Sequence, residues 1–236
     1  MEKVLFAWSG GKDSALALYE IQQDKKYEVV SLLTTITEGY DRVSLHGVRR
    51  ILVEQQAKSL GLPIQEVFIP KLCSNEEYES KMRQILTKFK QAGISQVVFG
   101  DIFLEDVRKY REDNLSKLEM KGLFPIWGRD SAELTRSFIA LGFRAIVICV
   151  DTRVLDQSFL CRIIDENFTA QLPPNVDPGG ENGEFHSFVF DGPIFRERIA
   201  YKPGKKVLRD SFYFCDLLPT KPKGRLEGGE VDNQLY

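Results

Sequence analysis

Apolar positions along the chain follow two rhythms that take turns from the N-terminus onward. Short aliphatic and β-branched runs stand at 4–8 (VLFAW), 27–36 (YEVVSLLTTI), 63–70 (PIQEVFIP) and 95–102 (SQVVFGDI), and each reads as a strand. Amphipathic stretches lie between them at 13–23, 48–60 and 76–91. In the last of these, Tyr78, Met82, Ile85 and Phe89 recur at i, i+4, i+7 and i+11, which places them on one face of a helix. Ser74 and Glu77 form a capping box at its start. Parallel strands need crossover helices on the faces of their sheet, so the alternation predicts a doubly wound, Rossmann-like α/β sheet. Residues 105–121 read as a further helix, and 124–127, 130–141 and 144–150 carry the alternation on, with Asp130 and Glu133 repeating the capping pattern.

Beyond about residue 173 the rhythm breaks. PPNVDPGGENG reads as a long turn-rich loop, EFHSFVFDGP as a strand, and RIAYKPGKKVLRDSFYF as two strands around a Pro-Gly turn. The pattern therefore predicts an α/β domain over 1–122 and a smaller α+β lobe over 123–219. From 220 to 236 the chain is rich in Lys, Gly and Glu with few large apolar residues, so a disordered tail is expected.

Charge and cysteine content narrow the class. The 32 basic and 34 acidic residues nearly cancel, leaving a formal charge of −2 without the basic excess that draws polyanions, so nucleic acid is not the expected partner. The four cysteines, at 73, 149, 161 and 215, include no C-x-x-C pair and no tight Cys/His cluster, which argues against zinc and iron–sulfur sites. Cys149 in RAIVICVD and Cys215 in FYFCDLL read as small buried apolar residues in a reducing cytosol. The apolar stretch before Lys12 and Asp13 falls far short of the ~18 residues of a membrane span. A cytoplasmic protein with neither signal peptide nor anchor is expected.

The strongest chemical signal is Ser9-Gly10-Gly11-Lys12-Asp13-Ser14, between the first strand and the first helix. In an open α/β sheet, ligands bind beyond the carboxyl ends of the strands, and a helix N-terminus offers unpaired N–H groups to an anion. Glycines let phosphate oxygens approach the backbone; Lys12 adds a point charge, and Ser9 and Ser14 add hydroxyl donors. The string is neither the Walker pattern G-x-x-x-x-G-K-[ST] nor the dinucleotide fingerprint G-x-G-x-x-G. It resembles the loop of the PP-loop ATP pyrophosphatases, which grips the β- and γ-phosphates while the α-phosphate is attacked. That resemblance implies adenylation of a substrate oxygen, release of pyrophosphate, and displacement of AMP by a nitrogen or sulfur nucleophile. It implies ATP with Mg²⁺, for which Asp13 is the loop's own candidate contact.

Two further islands narrow the branch. Gly100-Asp101-Ile102-Phe103-Leu104-Glu105-Asp106 follows the fourth strand, with Arg108, Tyr110, Arg111 and Asn114 on the next helix; Asp101 and Glu105 are expected to face the loop, placed for Mg²⁺ or substrate. Gly180-Glu181-Asn182-Gly183-Glu184-Phe185-His186-Ser187 packs two carboxylates and a histidine between glycines, acids that converge on something cationic or protonatable. From the first strand to about Pro219, the chain resembles the diphthine–ammonia ligase family. In that family ATP activates the carboxylate of diphthine, a modified histidine on elongation factor 2, and ammonium converts it to the amide.

The family motif GEGGEYET reads GENGEFHS here: Glu181, Gly183 and Glu184 are retained, while Asn182, Phe185, His186 and Ser187 depart. The departure resembles a variant branch of bacteria, which do not make diphthamide, so the activation chemistry carries over better than the acceptor. The resemblance implies catalytic roles for Lys12, Asp101, Glu181, Glu184 and His186, with Mg²⁺ held by Asp13 and Asp101. It also implies that backbone at Thr35, Ile36 and Gly100 borders the adenosine and that His46, in SLHGV, lines the nucleotide side. Partners would be ATP, free ammonium and a carboxylate-bearing acceptor, with a homodimer as a further possibility. Sulfur transfer to tRNA and a non-catalytic ATP-binding sensor use similar loops and stand as alternatives.

Overall fold

The structure, a computed structural model, describes residues 1–44 and 47–221. His46 and the tail from residue 222 therefore lie outside the described residues, and with them the roles expected of both. The first half runs β1 (Glu2–Ala7), α1 (Lys12–Gln23), β2 (Tyr27–Thr37), β3 (Arg42–Val43), α2 (Arg50–Leu60), β4 (Ile64–Ile69), α3 (Asn75–Gln91), β5 (Gln96–Val98), α4 (Glu105–Ser116) and β6 (Lys121–Leu123). The second half runs α5 (Ser131–Ala140), β7 (Arg144–Asp151), a 3-10 turn (Gln157–Phe159), α6 (Glu166–Ala170), β8 (Phe185–Asp191), β9 (Tyr201–Arg209) and β10 (Phe212–Pro219).

β1 is central because it can be buried on both sides. Val4 and Phe6 face one apolar cluster and Leu5 the other, all without exposure, as the period-two geometry of a strand requires. It pairs in parallel with β2 and β5, β2 pairs in parallel with β4, and β5 with β6, so the sheet is parallel apart from the short antiparallel β3. The second sheet is antiparallel throughout, in the order β8-β7-β10-β9. The larger cluster runs without a break from Val4, Phe6 and Leu16 to Phe138, Phe188 and Phe190, so the two sheets share one core. Among the described residues, no helix is long and apolar enough to cross a membrane.

Helix starts follow their caps. Ser74 Oγ accepts from Glu77 N while the Glu77 carboxylate accepts from Ser74 N, and Asp130 accepts from Glu133 N. Four expectations are corrected. The strand expected over 95–102 stops at Val98, leaving Gly100 and Asp101 in a loop. The helix expected over 105–121 ends at Ser116, and Lys121–Leu123 becomes a strand of the first sheet, which so reaches one residue past 122. Residues 124–127 form a turn rather than a further element. Pro203 and Gly204 lie inside β9, and the chain reverses at Asp210 and Ser211, where Asp210 takes a positive φ of 52°. Strand β9 is at the sheet's edge, where a proline's missing donor costs no ladder bond.

Candidate active site

The six-residue loop leaves β1 and becomes the first turn of α1, so its backbone N–H groups stand at a helix start. The loop is fixed internally: Ser9 Oγ accepts from Gly11 N (3.2 Å) and bonds Ser14 Oγ (3.1 Å), and Ser14 Oγ donates to the Gly11 carbonyl (2.9 Å). Gly10 sits at a φ of 81°, and a Cβ there would meet Gln56 Oε1 at 2.7 Å. A Cβ on Gly100 would stand 3.0 Å from the Asp13 carbonyl and Ser14 N, so glycine lets the exit of β5 lie against the loop without the loop giving way.

The second sheet touches the loop directly. Val189 N on β8 donates to the Gly10 carbonyl (2.9 Å), and Lys12 N donates to Ser187 Oγ (3.2 Å). Gln56 on α2 is fully buried and joins three elements. It accepts from Trp8 Nε1 (2.9 Å) and donates to the carbonyls of Gly10 (3.1 Å) and Val189 (2.6 Å). In the sequence the signal for Gln56 is a lone glutamine on the apolar side of an amphipathic stretch.

A cleft of about 210 Å³ opens over this junction. It brings together Ser9, Gly11, Lys12, Asp13, Ser14, Gly100, Asp101, Glu181 and His186 from the residues named by sequence. The Lys12 ammonium, 4% exposed, bonds the Asp13 carboxylate and lies 3.9 Å from Glu181 Oε1. Burial, then the nearby Asp13 charge, pushes the Glu181 carboxyl up to about 8, and Lys12 offsets this only in part. Burial lowers His186, so its imidazole favours the neutral form.

Other expected residues are placed differently. Glu184 is buried but does not line the cleft: it accepts from Asp177 N (3.0 Å), Asn182 N (2.9 Å) and Asn182 Nδ2 (3.0 Å), and so shapes the loop that presents Glu181. Asp177, in turn, accepts from Gly179 N and Glu181 N, and from Ser131 Oγ at the start of α5. Gly10 serves the loop's shape rather than the cleft wall, and Glu105 is exposed at the start of α4. Thr35 lines an adjoining cavity of about 170 Å³ that shares Ala7, Ser9, Phe99 and Arg111 with the cleft. Ile36 lines neither cavity; it is buried in the core and pairs with Val43 and Phe68.

Arg111, on α4, borders both cavities. Its Nη2 donates to Asp101 Oδ1 (3.2 Å), its Nε lies 2.8 Å from Asp101 Oδ2 without the alignment of a hydrogen bond, and its guanidinium stacks on Phe99. Among the described residues no three His, Cys, Asp or Glu groups converge as a metal cage. Mg²⁺ characteristically takes one or two carboxylates and completes its shell with phosphate oxygens and water, and Asp13 and Asp101, which both line the cleft, fit that pattern. The buried lysine and the bare glycine walls likewise fit a polyphosphate.

The sequence profile of the diphthamide synthase N-terminal domain matches residues 2–122, and that of the C-terminal domain matches residues 130–219. Proteins named diphthine–ammonia ligase are similar along the chain. The Schizosaccharomyces pombe relative is 26% identical over 91% of this chain, the Rattus norvegicus relative 25% over 80%, and the Mus musculus relative 25% over 88%. The chain spans 38% of the length of the first of these, 72% of the second and 85% of the third. Among solved structures, a predicted subunit of tRNA methyltransferase from Methanocaldococcus jannaschii aligns over 66% of this chain and 82% of that chain, with 17% identity. The TM-score of that alignment is 0.39. Two profiles in tandem, each on one of the two sheets and together reaching from residue 2 to residue 219, establish that this chain belongs to the diphthamide synthase family.

Proposed function

We propose that this chain is an ATP-dependent amide-forming ligase, converting a carboxylate to its amide with ammonia; its relatives carry the name diphthine–ammonia ligase, which supports a ligation that uses ammonia. The observation that carries the reading is the buried Lys12 ammonium, shared between Asp13 of the phosphate loop and Glu181 of the second lobe, which joins a polyphosphate grip to an acid–base group in one cleft. An acceptor carboxylate oxygen attacks the α-phosphorus of ATP and pyrophosphate leaves. Ammonia then attacks the acyl carbon, AMP leaves with the bonding pair, and one proton is removed from nitrogen.

In this reading Ser9, Gly11, Lys12 and Ser14 hold the leaving pyrophosphate, with the Gly11 and Lys12 N–H groups and the two hydroxyls exchanging their bonds to Ser9, Ser187, Ser14 and the Gly11 carbonyl for phosphate oxygens. Asp13 and Asp101 would hold Mg²⁺, which supplies positive charge against the phosphates. Glu181 takes the proton from incoming ammonium. A carboxylate raised to about 8 is far better matched to that weak acid than an ordinary one. His186, which burial keeps toward its neutral form, lines the same cleft as a hydrogen-bonding group. Thr35 and its cavity border the adenosine. The acceptor is diphthine on elongation factor 2 where the host makes it, and another carboxylate otherwise, because GENGEFHS departs at His186 and Ser187 from the family string.

Charge-assisted hydrogen bonds contribute about 1.5–3 kcal/mol, so Lys12→Ala is expected to weaken ATP binding roughly ten- to hundred-fold. Titration calorimetry with a non-hydrolysable ATP analogue measures this, and unchanged affinity removes the loop from the site. Turnover is tested by pyrophosphate release with ATP, ammonium and candidate acceptors. Nucleotide binding with no pyrophosphate under any pairing favours a sensor instead.

A further inference from the structure

Two of the four cysteines meet in the second sheet, on elements that do not line the active-site cleft. Cys215 is buried on β10, and Cys161 follows the 3-10 turn; their Sγ atoms lie 2.6 Å apart and neither is bonded to another sulfur. That is roughly half an ångström beyond the ~2.05 Å of a covalent S–S bond. The backbone holds them there. Cys161 sits at a φ of 68°, a conformation that residues with side chains seldom take, and its N–H donates to the Val147 carbonyl on β7 (2.9 Å). Two residues on, Ile163 bridges Ile146. Cys215 is fixed from the other side by pairing with Lys206 on β9.

The two thiols are unequal. Cys161 is the more exposed, and the contact with Cys215, aided by Lys206, holds it down to about 7 against the effect of burial; Cys215 is pushed up. A partly exposed thiol held down by its neighbour, beside a buried one pushed up, matches an attacking and a resolving pair. Cys149, on β7 and paired with Phe214, is buried and pushed up to about 12, so it is an inert neighbour.

We propose that Cys161 and Cys215 form a reversible intramolecular disulfide by exchange with a low-molecular-weight disulfide such as oxidised glutathione. The Cys161 thiolate attacks one sulfur of that disulfide and expels a thiolate, leaving a mixed disulfide on Cys161. Cys215, losing its proton, attacks the Cys161 sulfur and expels the second thiolate. The protein loses two electrons and two protons, and the oxidant becomes two thiols. The bond would close the chain between residues 161 and 215, one position from Asp216, whose carboxylate ties Arg42 and Arg49 of the first lobe to β10.

The test equilibrates the full chain with reduced and oxidised glutathione at stepped ratios, blocks free thiols with N-ethylmaleimide under denaturing conditions, and maps peptides by mass spectrometry. A Cys161–Cys215 linked peptide that grows with the oxidised fraction and vanishes with dithiothreitol, while Cys149 stays alkylated, is the expected result. Cys215→Ser is expected to trap glutathione on Cys161, and Cys161→Ser to leave Cys215 unmodified. Alkylation of both residues at every ratio, or a linkage through Cys73 or Cys149, overturns the proposal.

Discussion

Glu181 shows how one side chain ties stability to pH. Its carboxyl is raised from about 4.5 in the unfolded chain to about 8 in the fold, by burial first and the Asp13 charge second. Between those values unfolding releases a proton. The stability contributed by the neutral form is therefore complete below about 4.5 and is lost as pH rises through about 8. Glu181→Gln stays neutral, so it is expected to melt with the parent protein at about pH 5 and above it at about pH 9. Parallel melting curves across that range would show that Glu181 is not held neutral. In the ligase reading, kcat/KM of the parent is expected to rise with pH to a plateau above about 8, and Glu181→Gln to lose that rise along with most of its rate. Glu184→Ala belongs to a different mechanism. It strips the partners from Asp177 N and Asn182 N, for about 1–3 kcal/mol of lost stability in urea unfolding and a loosened loop, while direct contact with substrate is not involved.

At the scale of elements, Gln56 is the fastener between α2, the phosphate loop and β8. Gln56→Leu keeps the volume but leaves Trp8 Nε1–H and two carbonyls without it. A cost of about 1–3 kcal/mol per stranded group is expected in chemical denaturation, with weaker ATP-analogue binding because the loop loses its brace. Such a joint is hard to read from sequence. The loop itself was legible because its chemistry is local: glycine, lysine and serine at a strand–helix junction. The βαβ order was legible for the same reason, since periodicity records which face of each element is buried. Gln56 acts over 46 residues to Gly10 and 133 to Val189, and no local pattern carries that distance. Glu184 misled because a carboxylate between glycines looks alike whether it faces a substrate or folds back on its own loop. Pro203 and Gly204 misled because their turn chemistry is overruled at a sheet edge, where an extended strand leaves their missing groups unneeded.

Across the whole molecule, the shared core makes the two sheets one cooperative unit. Phe188 and Phe190 of the second sheet belong to the same buried cluster as Phe6 of the first sheet and Leu16 of α1. Urea unfolding followed by tryptophan fluorescence and by far-ultraviolet circular dichroism is expected to give coincident single transitions; two separated midpoints would show independent lobes. The bond from Val189 N to the Gly10 carbonyl has a consequence for traffic through the cleft. It makes the loop between β1 and α1 a rung of the second sheet, so the two lobes cannot part there without breaking the loop's own bonds. The stretch over 177–184 is tied as well, by side-chain bonds from Asp177 and Glu184 and by Asp151 N of β7, which donates to the Glu184 carbonyl (2.8 Å). In the ligase reading, an acceptor must reach a cleft whose walls are already stitched together.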